Sequence, residues 1–225
     1  MSVFTSSLSS APPFVDHSLA LAEVGTEFHS RGWSLGTSSN YSVVVGREPL
    51  QLLVTASGKD KGKLTENDFV VVDQEGLPIE DGQPKSSAET LLHCVIAHNI
   101  PDVGAILHTH SVWGTLLSRQ HAVSGGFNIE GFEMLKGLEG ITTHEHSQRI
   151  PIFENTQDIP KLAQQLQHCF SMADSPEQAL GHGFLIRGHG LYTWGKDLFT
   201  ARRHIEILEF LFECVSREQS LASSL

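Results

Sequence analysis

YSVVVGREPLQLLV, residues 41–54, holds two short apolar runs, Tyr41–Val45 and Leu50–Val54, on either side of Gly46–Pro49. Short runs rich in Val and Leu and bounded by Gly and Pro are strand signals, and a four-residue connection between two of them makes a hairpin. The two strands are therefore expected to be antiparallel neighbours. Working outward, Phe69–Asp73 reads as a third strand, closed by the Glu75-Gly76 turn. A helix fits Ser18–Arg31, stopped by Gly32, and another fits Ala88–His98, with Ser86 or Ser87 as its cap.

The second half continues the mixture. Val103–Leu107 is a short apolar run, and Ser111 caps a helix through about Arg119. Arg149–Phe153 reads as a strand, and Asp158 opens a helix to about Phe170 that tolerates Pro160 in its first turn. Phe184–Arg187 and Leu191–Trp194 are strands around Gly188-His189-Gly190, and a long helix runs from Asp197 to about Arg217. Helices mixed with hairpin-linked strands predict an α/β sandwich with a largely antiparallel sheet rather than a doubly wound parallel one. No repeat or linker divides the chain, so one domain over 1–225 is expected, with 1–16 as a flexible lead.

Composition narrows the function. Apolar residues make up 40% of the 225 and charged residues 18%, which suits a folded chain. The formal net charge of −11, with no dense Lys/Arg run, argues against a nucleic-acid partner. No apolar run reaches the ~20 residues of a membrane helix, and the N-terminus lacks the charged and apolar regions of a secretory signal. Cys94, Cys169 and Cys214 are odd in number and far apart, the usage of a reducing compartment. A cytoplasmic protein is expected.

The chemistry concentrates in two places. Gly104-Ala-Ile-Leu-His-Thr-His110 ends an apolar run with histidines at i and i+2, which share one face of a strand. His108 and His110 either converge on one metal ion or are ordinary histidines at a strand end. Arg187-Gly-His-Gly190 sets His189 between two glycines, where close backbone approach is possible. Glu89, opening a helix just before the first of these segments, is a candidate base or ligand, or a first-turn carboxylate favoured by the helix dipole. Glu133, flanked by Phe132 and Met134, is a candidate proton shuttle if partly buried. Gly36-Thr-Ser-Ser-Asn40, Thr55-Ala-Ser-Gly-Lys59 and Ser86-Ser87 offer hydroxyls and backbone N–H groups to a phosphate, or are plain turns. His144-Glu-His146 is a second His-x-His, in a polar stretch that reads as a mobile loop near the cleft. There is no G-x-S-x-G, Walker sequence or H-E-x-x-H.

Taken in order, GTSSNYS, TASGK, SSAETLLH, HTHSVWGTLLSR and RGHGLYTWG resemble the class II aldolase and adducin-head family, over about residues 17–215. GFEMLKGLEGITTHEHSQRIPIFENTQDI further resembles a dehydratase branch of that family. The resemblance implies a three-layer αβα sandwich, one zinc per subunit held by His108, His110 and His189, and a homotetramer. It implies a small phosphorylated keto-sugar as substrate, with Glu133 as the acid/base residue. Glu89 takes the place of the catalytic carboxylate of the sugar-phosphate aldolases. Ser38, Ser57, Gly58, Ser86 and Ser87 match the phosphate region. A sugar-phosphate aldolase and a non-catalytic module like the adducin head are the alternatives.

Overall fold

The hairpin forms as read. β1 (Asn40–Arg47) and β2 (Leu50–Thr55) pair antiparallel, with Val43 opposite Leu53. The structure is a computed structural model that describes residues 14–175 and 179–222. β3 (Phe69–Val72) adds to the outer side of β2, and β4 (Ala105–Thr109) to the other side of β1. β5 (Gly126–Ile129), β6 (Gln148–Phe153), β7 (Gly183–Ile186) and β8 (Leu191–Gly195) complete a sheet of order β3-β2-β1-β4-β8-β7-β6-β5. Every neighbouring pair is antiparallel except β6–β7, where Ile152 lies beside Leu185. The sheet is thus mixed, through one parallel pairing.

Helices cover both faces, as the uninterrupted apolar strands require. Val43, Leu53, Ala105 and Leu107 pack on α1 (Val15–Ser30), α3 (Val112–Gln120) and α5 (Leu198–Ala222). The alternate residues Leu52, Val54 and Ile106 pack on α2 (Thr90–Asn99) and α4 (Ile159–Met172). Each wholly buried Leu or Ile contributes roughly 2 kcal/mol by leaving water. Ser111 and Asp158 cap α3 and α4 as expected, accepting from the N–H groups of Gly114 and Lys161.

Several expectations change. Val15 and Asp16 belong to α1 rather than to the flexible lead expected over 1–16, and residues 1–13 lie outside the described residues. α2 begins at Thr90, with Glu89 in the cap position and no side-chain cap. Ser87 Oγ accepts from the Glu89 N–H, while Ser86 donates to the Gly76 carbonyl. α5 runs five residues beyond Arg217, which is tied to Glu213 one turn back at 2.6 Å. β5 and the short 3-10 helix Glu133–Gly137 escape a reading based on periodicity, because each is too short to show one.

Candidate metal centre

Strand alternation builds the centre. Along β4, Ala105 and Leu107 point to the α1/α5 face, while Ile106 and His108 point to the α2/α4 face. Register then sets Asn40 of β1 and Tyr192 of β8 on either side of His108. The Tyr192 ring stacks on the His108 imidazole at 4.0 Å and 15°. His110 follows just past the strand end, its N–H bonded to the Trp33 carbonyl at 2.7 Å. His189 arrives from the β7–β8 turn. Gly188 there has a φ of 61°, and its N–H donates to Ser118 of α3. Gly190 lies against β4 so closely that a Cβ would run into the Thr109 carbonyl oxygen and touch His108. The two glycines flanking His189 thus have different tasks, one a left-handed turn and the other a close approach.

The three imidazoles converge. His110 Nε2 is 2.8 Å from His108 Nε2, and His189 Nε2 is 3.3 Å from His108 Nε2 and 3.2 Å from His110 Nε2. His108 Nδ1–H donates to the Leu191 carbonyl at 2.9 Å, which leaves its Nε2 as a bare lone pair. Burial, and then the neighbouring His110 and His189, hold the His108 pKa well below the ordinary range. Burial, with His189 and Lys61 nearby, brings His110 down to about 4. Both rings are therefore neutral at pH 7. Clustered lone pairs repel one another unless a cation lies among them, so this donor set fits a divalent ion. The spacing is of the size set by zinc–nitrogen bonds of about 2.0–2.1 Å. Among the described residues this is the one group of three or more His, Cys, Asp or Glu side chains so arranged.

Glu89 completes the cluster. Its Oε1 is 3.2 Å from His189 Nε2 and its Oε2 is 3.7 Å from His108 Nε2. Asn40 Nδ2 donates to Oε2 at 2.7 Å. The Tyr192 hydroxyl is buried beside Asn40 and Glu89; burial, and then the Glu89 carboxylate, push its pKa well above the ordinary range. Glu89, His110 and His189 border a cleft of about 810 Å³ whose walls also include Ser38, Ser57, Gly58, Ser86 and Ser87. All five residues proposed for phosphate therefore face the space beside the imidazoles.

The sequence reading missed Lys61, which also lines the cleft. It is 1% exposed, and its Nζ donates to the carbonyls of Lys59 at 2.7 Å and Thr37 at 3.5 Å. Burial lowers its pKa to about 8, so it remains largely cationic at pH 7. Within the run Lys59-Asp-Lys-Gly-Lys63, charge alone did not mark which lysine turns inward.

Glu133 stands apart. It does not line the cleft, and its side chain is 71% exposed rather than partly buried as expected. Lys136 Nζ donates to it at 2.6 Å and His144 lies 3.7 Å away. The Lys136 bond and charge hold its pKa below the ordinary value. Its neighbour Leu135 turns inward instead, because the tight 3-10 helix presents only one residue in three to the core.

The family model described as Class II Aldolase and Adducin N-terminal domain matches residues 19–216. The chain belongs to that family. A protein named methylthioribulose-1-phosphate dehydratase from Marinobacter nauticus is 47% identical over 195 residues, covering 87% of this chain and 90% of that relative. A protein of the same name from Sorangium cellulosum is 42% identical over 202 residues, covering 90% of this chain and 92% of its own. Among solved structures, an L-fuculose 1-phosphate aldolase superposes with a TM-score of 0.73 at 21% identity, over 92% of this chain and 87% of that one. YgbL from Klebsiella pneumoniae gives 0.72 at 23%, over 89% and 88%. At such identities the structural likeness speaks to fold.

Proposed function

We propose that this chain removes water from 5-methylthioribulose 1-phosphate to give 2,3-diketo-5-methylthiopentyl 1-phosphate, a hydro-lyase step of methionine salvage. The observation that carries the proposal is the convergence of His108, His110 and His189 beside a cleft rich in hydroxyls, in a chain 42–47% identical to relatives named for that reaction. The three imidazoles would hold one divalent ion per subunit, zinc in our reading. Such an ion supplies Lewis-acid polarisation of the substrate carbonyl.

The chain's own residues supply the rest. Lys61 and the hydroxyls of Ser38, Ser57, Ser86 and Ser87, with the backbone at Gly58, receive the phosphate. Glu133 takes the C3 proton on its carboxylate and returns a proton to the C4 hydroxyl, which leaves as water. Glu133 lies outside its own chain's cleft, so this proposal has it act in the cleft of a neighbouring subunit of the proposed homotetramer. Glu89 orients the substrate at the imidazoles. We place the reaction in the cytoplasm; no described helix is long and apolar enough to cross a membrane.

The second reading is aldol cleavage with Glu89 as base, favoured by its 3.2 Å approach to His189. Product analysis separates the two. Dehydration yields the diketone phosphate and water alone, whereas an aldolase releases dihydroxyacetone phosphate or a similar fragment. An adducin-like module would show neither product and has no use for three converging imidazoles.

A further inference from the structure

Behind Glu89 runs a line of buried polar groups that none of the roles above employs. Asn40 and Ser42 stand two residues apart on β1, and Glu89 and His93 four apart at the start of α2. Each spacing puts the pair on one face, and the two faces meet. Asn40 Nδ2 donates to Glu89 Oε2 at 2.7 Å, Asn40 Oδ1 meets His93 Nε2, and Ser42 Oγ meets His93 Nδ1 at 2.7 Å.

Donor and acceptor chemistry leaves this line one arrangement. A carboxylate only accepts, so the Asn40 amide turns its NH₂ to Glu89 and its oxygen to His93. That oxygen also only accepts, so His93 carries its proton on Nε2. The ring is wholly buried, and burial brings its pKa down to about 3, so it is neutral and has a single proton. Nδ1 is then bare and accepts from the Ser42 hydroxyl. Donation runs in one direction, from Ser42 through His93 and Asn40 to Glu89 Oε2, and Oε1 faces His189.

We propose that Asn40 and His93 are positioning residues for Glu89, holding its carboxylate with Oε2 bound and Oε1 turned toward His189 and the substrate. The inference rests on the reading of that cluster as the reaction centre. A core histidine that merely ties α2 to β1 would affect stability; this one sets the turnover rate.

Two measurements on the zinc-loaded full chain test it. Neutron diffraction should place a hydrogen on His93 Nε2 and none on Nδ1. In steady-state kinetics, His93→Leu should lower kcat by about 10- to 100-fold, as loss of such supporting groups does, with zinc content retained and KM within about twofold. His93→Gln, whose amide can still donate to Asn40, should recover most of that loss. A hydrogen on Nδ1, an unchanged kcat in His93→Leu, or a His93→Gln no faster than His93→Leu would overturn the proposal. Failure of the dehydratase reading looks different: the wild-type chain itself would release no diketone, while the proton on His93 would still be read directly.

Discussion

Replacing Glu209 by Gln should make the stability of the protein less sensitive to alkaline pH. Glu209 lies on α5 beneath the strand that carries His108, and its Oε1 accepts from Thr109 Oγ1 at 3.1 Å. Its Oε2 is buried as well. Burial pushes its pKa up from 4.5 to about 7, against the pull of the Ser111 and Thr109 bonds. Between those two values the folded protein binds a proton that the unfolded chain releases. The stability is fully present below about pH 4.5 and is lost progressively as pH rises through 7. At ~1.4 kcal/mol per pH unit, the whole displacement from 4.5 to about 7 amounts to roughly 3 kcal/mol. The amide of Glu209→Gln keeps the acceptor for Thr109 and never ionises. Urea unfolding at pH 5 and pH 8 reads the effect. The variant should gain on the wild type by roughly 2–3 kcal/mol between the two conditions. An equal stability difference at both values, or a loss at pH 8, would refute the reasoning.

Three further substitutions address the cleft. Gly190→Ala forces a methyl group into the Thr109 carbonyl and displaces His189 from the other two imidazoles; zinc retention, measured by competition with a chelator, should fall about 10- to 100-fold. Lys61→Met removes the buried cation from the part of the cleft proposed to receive the phosphate. KM should rise about 10- to 100-fold, the weight of one hydrogen bond to a charged group, with zinc content unchanged, and an unaltered KM would remove Lys61 from substrate binding. Glu133→Gln is nearly isosteric and accepts no proton, so kcat should drop on the order of 10²-fold or more with the metal retained. Turnover near wild type would end the role given to Glu133.

The sheet was legible where local chemistry and tertiary packing agree. Gly46–Pro49 marked the hairpin, and the alternation through Ala105, Ile106, Leu107 and His108 carried both the strand and the direction of its histidine. His189 was legible through Gly188 and Gly190, since a histidine held between glycines signals a special backbone. What stayed hidden depends on distant partners. Lys61 differs from Lys59 and Lys63 only in being buried under the residues around it. Asn40 and His93 are 53 positions apart, and nothing local in either predicts their bond. Glu209 reads as one more carboxylate on an amphipathic helix until α5 is laid across β4. Glu133 misled because apolar neighbours predict burial only when the residue's own direction is known, and the 3-10 helix turns Leu135 inward in its place.

The central claim is that His108, His110 and His189 form a metal centre. Metal content of the purified protein, measured beside His110→Ala, tests it most directly. The account predicts about one zinc per chain in the wild type and its loss in the variant, since two imidazoles and a carboxylate make a poorer site than three imidazoles with Glu89 beside them. No bound metal in the wild type, after zinc is supplied and the excess removed, would contradict the claim and turn the weight toward a non-catalytic module.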